Sequence, residues 1–510
     1  MIVAAVTFAT QHRVALLATL AFVAAAALIA LRFVKLDALP DVTTNQVLVL
    51  TSAPGFSPDE VERRVTMPVE LALAGVPGLI ERRSTSRFGI SSITAVFEDA
   101  TPAHIARQLV MERLASVSGT LPETVSEPEL GPLTGGLGEI FHITLRSKSR
   151  TLRELRELAE LRAAPVLRGV AGIVEVNTWG GERRALAVEV EPARLARHRL
   201  TLGRLREQLG REIGNAPAGS LPEGTTAQVL LRASAQPNTP QALAALRVET
   251  GTGSAVRLSE LGQVREIGLP RLGAATQDGR GEVVYLMAQM LRDANALEVT
   301  QRIQRVMPAV RRALPPDVQI DLVYDRSQLV RATLNTVGRN LAEGGLLVVC
   351  VLFAMLGSFR AGLIVAAVIP LAMLGASVGM ALFGVAGNLM SLGALDFGLL
   401  VDGAVVMVEH IFHEQLRAPP PENEPRRIFI TRCVTHIAKP MSFSVLLILL
   451  VYLPVLSLRG VDGKMFRPMA LVVVMALATA LVLTLTYVPA AAAAFLRPRD
   501  VPLHPPLLAR

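Results

Sequence analysis

The sequence predicts a membrane α-helical bundle of six spans joined to an exported α/β domain, and three observations carry that prediction. Apolar runs fill the first 35 residues and nearly everything after residue 331, while about 300 residues between them are polar. Of the 510 residues 51% are hydrophobic, and the mean hydropathy is +0.44, a balance that soluble domains seldom reach. One apolar stretch, residues 388–411, is long enough to cross a bilayer yet holds Asp396, Asp402 and Glu409. A charge at the centre of a membrane helix costs roughly 2.5–3.5 kcal/mol on insertion scales, so three acids in one span point to a proton or ion pathway.

In chain order, residues 14–34 are apolar except for Thr19 and Arg32, and are followed by Lys35-Leu36-Asp37 rather than a small-residue cleavage site. They read as an uncleaved membrane anchor. Residues 1–35 are therefore a cytoplasmic start and first span. Residues 44–52 (TNQVLVLTS) read as a strand, and Ser57-Pro58-Asp59-Glu60 opens a helix with a capping serine, a proline at its first position and a glutamate three after the cap. Residues 75–78 end that helix, 93–97 give a strand, and 101–117 a second helix closing at Leu121-Pro122.

The layout then returns. GVPGLIE (75–81) reappears as GVAGIVE (169–175), and FEDATPAHIARQ…LPETV (97–125) matches LRDANALEVTQR…LPPDV (291–318). Recurring strand and helix units of this kind predict duplicated ferredoxin-like split βαβ folds. The first unit is assigned to 36–130 and the second to 131–180 with 270–330. Residues 181–269, with loops such as GNAPAGSLPEG and ETGTGSAV, read as an inserted subdomain.

Beyond Asp325-Arg326-Ser327 the chain is apolar, with spans at 341–356, 363–383, 388–411, 437–456 and 468–495, a five-helix membrane domain over 331–497 and a cytoplasmic tail at 498–510. The span at 341–356 is full length only if it begins near Val337. Arg360, the five basic residues of 417–439 and the tail arginines lie on one side, against Arg459, Lys464 and Arg467 on the other. The positive-inside rule makes the amino terminus cytoplasmic and exports the large domain, in a Gram-negative cell to the periplasm.

Within 388–411, Asp402 and Glu409 fall within roughly 20° of each other on a helix, and Asp396 about 120° round. The plain alternative is that the acids pair with bases on neighbouring helices, or that Glu409 is wet at the cytoplasmic end. Gly393, Gly398 and Gly403 are expected to admit a close helix and water. His410 is a candidate extension of the proton path. Met390, Met407 and Met441 are candidates to line an ion path, against the usual filler role of methionine.

Several classes are excluded. A net charge of +8 with 4% aromatic residues fits membrane topology and arginine-rich surfaces better than nucleic-acid binding. Two cysteines, Cys350 and Cys433, leave the polar region without a disulfide framework. No Walker loop, nucleophile elbow or HExxH occurs, so no enzyme and no cofactor is indicated. His104, His142 and His198 lack ligand spacing, and Met67, Met111, Met287, Met290 and Met307 form no soft-metal cluster, which leaves the metal site unknown.

The motifs LPDVTTNQV (39–47), GFSPDEVERRVTMPVE (55–70), RQLVMERL (107–114), GPLTGGLGEIF (131–141) and DFGLLVDGAVVMVEH (396–410) resemble the heavy-metal branch of the resistance-nodulation-division (RND) efflux transporters, amino-terminal half, over essentially the whole chain. The resemblance implies a proton relay at Asp396, Asp402 and Glu409, proton antiport of metal cations, and a docking-type role for 181–269. It further implies trimers, a periplasmic adaptor and an outer-membrane channel, all at the bacterial inner membrane. Family members carry two such halves, so a separate carboxy-terminal half is expected to supply the acids' basic partner, Lys439 being counted with the basic loop. Two other readings stand beside this one: a permease half for amphiphilic organic compounds, which the few exported phenylalanines disfavour, and a non-transporting scaffold.

Overall fold

Ser57 starts its helix as its spacing predicts. Its side chain accepts from the Glu60 amide, Glu60 reaches back to the Ser57 amide, and Pro58 occupies the first turn. Pro58–Val61, the π-helical Glu62–Thr66 and Met67–Ala72 form one continuous helix. Gly75 and Gly78 follow at φ +76° and +75°, a left-handed backbone that glycine supplies without steric cost. Thr151 and Glu154 repeat the capping box 94 residues on, before Leu152–Leu158, a second π segment and the Gly169–Gly172 turn. Cap and turn thus share one offset. The computed structural model describes residues 2–30, 37–213, 215–223, 227–234, 237–251, 253–271, 273–292, 294–393, 396–417 and 424–497. The expected tail at 498–510 lies outside them.

Two antiparallel sheets organise the polar region. In the first, Leu79–Arg87, Ile90–Phe97, Asn45–Ser52 and Glu129–Leu130 lie side by side in that order. Val47, Val49, Ile93 and Phe97 bury one face against Leu73, Ala106 and Val110 of the two helices. The second repeats the arrangement: Ile173–Trp179, Glu282–Met290, Glu139–Arg146 and Gln319–Asp325 neighbour one another. Ile143, Leu145 and Leu286 pack there on Leu155, Leu167, Val299 and Ile303. The strand Leu79–Arg87 escapes sequence reading because it is an edge whose residues are mostly exposed, so no alternation marks it.

Residues between these strands form a separate body. Arg184–Val190 pairs with Gly262–Gly268 as a two-stranded stalk, and Leu195, Leu205, Leu243, Leu258 and Leu261 make a small core of their own. The expected loop GNAPAGSLPEG is instead a strand, Asn215–Glu223, paired with Ala227–Ser234. A two-stranded ribbon has an open edge on each strand, so Pro217 and Pro222 need forfeit no ladder bond.

In the apolar part, five helices are long and apolar enough to cross a membrane, or six if Ile2–Gln11 and Arg13–Ile29 count together; that pair is bent by 97°. Two boundaries move. The span drawn at 341–356, full length only if it began near Val337, belongs to a helix that begins at Arg326 and runs unbroken to Leu356, capped by Asp325 directly from the last strand of the second sheet. The helix expected from residue 437 begins at Arg426, so the basic residues Arg426, Arg427 and Arg432 lie on it with Lys439 rather than in a loop. The span expected over 388–411 corresponds to the membrane-length stretch Leu389–Arg417, whose described residues form the helices Leu389–Gly393 and Phe397–Arg417, with 394–395 outside the described residues.

The glycine expectation changes too. An added Cβ at Gly393 would meet open space, whereas at Gly403 it would lie 3.3 Å from the Met441 sulfur. Close approach belongs instead to positions such as Gly375 and Gly379, where a Cβ would lie 2.3 Å from Thr479 Cγ2 and 2.2 Å from Met475 Sδ. Spaced four apart on Val368–Phe383, they let side chains of the helix Gly460–Phe495 seat against the glycine backbone, the usual device of membrane helix pairs.

Candidate functional site: an outward acidic face and the junction above it

The helix Phe397–Arg417 has two faces of opposite character. Leu400, Ala404, Met407, Val408 and Ile411 are buried in the bundle, packed with Ala476, Ala480 and Val434. Asp402, Val406 and Glu409 follow one another at helical spacing on the other face and are exposed. The two acids therefore share a face, as their spacing of seven predicts, and that face points away from the other helices of this chain. Among the described residues, no ion pair engages Asp402 or Glu409. Lys439 is also exposed, on a different helix, and pairs with neither.

Asp396 sits apart. It precedes the helix instead of lying on it, so the expected 120° offset does not apply, and its Oδ1 accepts from the Gly398 amide at 2.9 Å. It caps the first turn, which its charge favours at a helix amino terminus. Beside it the Phe397 ring lies across Gly344 of the long helix Arg326–Leu356, where an added Cβ would be 3.6 Å from the ring. Met407 and Met441 are 0% and 6% exposed and packed in the bundle core.

A second cluster joins the bundle to the sheets. Arg326, with a side chain only 4% exposed, donates through Nη2 to both oxygens of Asp37 at 2.9 and 3.0 Å, and through Nη1 to the Leu137 carbonyl. Asp325 accepts from Gln304 Nε2 at 2.6 Å and from the Ser327 amide at 2.8 Å. From the last membrane helix, Lys464 donates to the Thr43 carbonyl at 2.8 Å and pairs with Asp99 at 2.7 Å. The Thr43 hydroxyl accepts from the Gly136 amide at 2.6 Å, and its carbonyl also receives Arg292. One short segment thus ties two membrane helices to both sheets. Sequence reading took Asp37, Arg326 and Lys464 as boundary or loop charges; the available signal was a charge at the very end of a span beside the LPDVTTNQV motif.

In the second sheet, burial pushes the His142 imidazole below its ordinary value, against a smaller opposing pull from Glu139, and Tyr285 Oη lies 2.5 Å from its Nδ1. Among the described residues no group of three or more His, Cys, Asp or Glu side chains is placed to hold a metal ion.

Comparison with known proteins places this architecture. A crystal structure described as a heavy metal efflux pump superposes with a TM-score of 0.85 at 34% identity, over 97% of this chain and 49% of that one. The chain is 40% identical over 509 residues to the cation efflux system protein CzcA of Alcaligenes sp. (strain CT14), covering 97% of this chain and 48% of that protein. It is 31% identical over 477 residues to the cation efflux system protein CusA of Escherichia coli (strain K12), covering 91% and 45%. The chain spans about half the length of the curated relatives it matches. The family model for AcrB/AcrD/AcrF matches residues 5–507, and with these heavy-metal relatives beside it the chain belongs to that family of RND efflux transporters.

Proposed function

We propose that this chain is the amino-terminal half of a proton-driven inner-membrane permease that exports heavy-metal cations by proton antiport, with Asp396, Asp402 and Glu409 as its relay. The observation that carries the reading is the pair Asp402 and Glu409, exposed on one face of a membrane-length helix with no ion-pair partner among the described residues. A carboxylate without a fixed counter-ion changes charge when it takes a proton. Each proton crossing releases about 2.3 kcal/mol per 100 mV of potential, and a few such steps suffice to shift a two-state domain equilibrium. The outward direction of the face supports a second half as its covering, with the acids' basic partner on that half.

In this reading the helix from Arg13 carries the first of six spans, with Ile2–Gln11 as a short start before it. The two sheets, in domains 36–130 and 131–180 with 270–330, are ferredoxin-like porter units, and 181–269 is the docking-type subdomain. Support comes from their shared β-α-β-β-α-β order and matching strand neighbours. Movement passes to them through Arg326–Leu356, which leaves its strand without a loop, and through Lys464. The cargo is assigned from relatives named for cation efflux, and the trimer, periplasmic adaptor and outer-membrane channel from the family resemblance.

The test is Asp402→Asn in a metal-sensitive strain that also expresses the complementary half. Resistance is expected to fall to the level of cells lacking the transporter, with unchanged amounts in the membrane. Wild-type resistance would remove Asp402 from the relay.

A further inference from the structure

The helix Ile2–Gln11 does not continue the first span: it turns through 97° and lies across the end of the bundle. Val6, Ala9 and Thr10 hold it there, buried, and the Thr10 and Thr431 hydroxyls are 2.7 Å apart. Between this helix and the start of Arg426–Val451 is a cavity of about 700 Å³. Its charged lining is basic, from Arg427 and Arg432, with the His12 ring beside them.

The donors left for a ligand can be read off. Thr7, Thr10, Thr431 and Thr435 also line the cavity, but each hydroxyl has a main-chain acceptor on its own helix. Arg432 gives Nη2 to Glu424 at 3.1 Å, and a guanidinium has further N–H groups to offer. No carboxylate among the described residues pairs with Arg427, which is exposed. Two guanidiniums converging on one cavity are suited to a phosphate, which they can grip by paired hydrogen bonds.

The rim is apolar. Val3, Phe8 and Ile428 are 46%, 59% and 50% exposed, with Phe8 stacked on His12 at 4.7 Å. An anion that brings acyl chains would cover these side chains, whereas free phosphate would leave them in water. The short basic loops put this end of the bundle on the cytoplasmic side, where the leaflet is anionic. We propose that the cavity between Ile2–Gln11 and Arg426–Val451 binds the headgroup phosphate of an anionic phospholipid through Arg427 and Arg432, and so fastens the amino-terminal helix to the membrane surface.

The experiment is native mass spectrometry of the detergent-purified full chain, delipidated and titrated with dioleoyl phosphatidylglycerol, with dioleoyl phosphatidylcholine, and with inorganic phosphate as competitor. The phosphatidylglycerol adduct is expected to form preferentially. It should weaken about fivefold in Arg427→Gln and about 25-fold in Arg427→Gln/Arg432→Gln, as roughly one cation's attraction is lost each time. Arg427→Lys should restore most of it, and Arg417→Gln, a basic residue on another helix, should change nothing. Equal binding of phosphatidylcholine, or undiminished phosphatidylglycerol binding by Arg427→Gln, overturns the proposal. Inorganic phosphate that binds as tightly and displaces the lipid overturns it in favour of a soluble anion. Because Arg427 is exposed and carries no ion pair among the described residues, its single variant keeps the test valid should the double variant unfold.

Discussion

Asp317 and Asp402 are both carboxylates near a surface, and they keep opposite company. Asp317, between the second sheet's long helix and its last strand, accepts from Arg150 at 2.8 and 3.1 Å and from the Ser147 and Ser149 hydroxyls at 3.1 and 3.0 Å. These donors hold its carboxyl well down, at about 2. It stays ionised at any pH a cell presents. Asp402, on a helix long and apolar enough for a membrane, has no such clamp among the described residues. The sheet region holds Asp317 with arginine; the membrane-length helix leaves Asp402 and Glu409 without an ion pair among the described residues, and an acid without a fixed clamp is available for repeated loading.

The sharpest way to break the contrast is to give Asp402 a clamp of the Asp317 kind. Val406 is 43% exposed, one turn on and between the two acids. Val406→Lys places an ammonium at the i+4 position, where acid and base meet on a helix. With the complementary half present, metal flux into everted vesicles should fall at least about 100-fold, as a held counter-ion keeps a carboxylate from taking a proton. Unchanged flux would mean that proton loading at Asp402 is not required. Val406→Gln, polar but uncharged, should retain most of the flux and so separates charge from mere polarity.

A smaller effect is expected where the two regions meet. Arg326 and Asp37 form a pair as firm as Arg150 and Asp317 but almost dry, the Arg326 side chain being 4% exposed. Removing one partner of a buried pair costs about 3–5 kcal/mol, since the other is left desolvated. Arg326→Ala should therefore lower the melting temperature markedly in detergent, and Arg326→Ala/Asp37→Ala should recover part of the loss. If the double variant is no better than the single, the stranded carboxylate is not the source of the cost. Within the bundle, Gly375→Ala should cost about 1–3 kcal/mol by overpacking against Thr479, whose β-branched side chain has few ways to yield. Gly379→Ala meets the flexible Met475 and should cost less.

The local signals in the sequence were strong where chemistry repeats. Ser57-Pro58-Asp59-Glu60 announces its helix because a cap is written in four residues, and the turn at Gly75–Gly78 repeats at Gly169–Gly172, where Gly78 and Gly172 both hold a positive φ that glycine takes without strain. The acidic face was legible as well, since spacing of seven is a property of the helix alone. What spacing cannot convey is which way a face points. That Asp402 looks outward follows from Leu400, Ala404 and Met407 packing inward against helices some 30 to 80 residues away. Asp396 was misplaced because periodicity assumes that it lies on the helix, whereas it precedes the first helical residue, Phe397. The junction was hidden for a related reason: Asp37 and Arg326 are 289 positions apart, and nothing local marks one as the other's partner.

The smallest expected effect tests whether the sheet region's titratable groups serve stability alone. Burial lowers the His142 pKa from its ordinary 6.5, so the folded sheet prefers the neutral ring while the unfolded chain takes up a proton first. More protons are then bound in the unfolded state, and stability must fall as pH drops below about 6.5, being full above it. Asp317 acts with the same sign further down. Its folded pKa of about 2 lies below the ordinary 3.8, so its contribution is full above 3.8 and is lost as pH falls through about 2. A thermal melt of the full chain should therefore lose a few degrees between pH 7 and pH 5.5, before any Asp317 contribution can change. His142→Phe keeps a ring beside Tyr324, whose own ring lies 4.9 Å from that of His142, and removes the titration. The difference between the two melting curves should vanish at one end of that range and grow toward the other. A parallel pair of curves would show that the imidazole takes up its proton as readily in the folded sheet as in the unfolded chain, and would leave the loss at acid pH to the carboxylates alone.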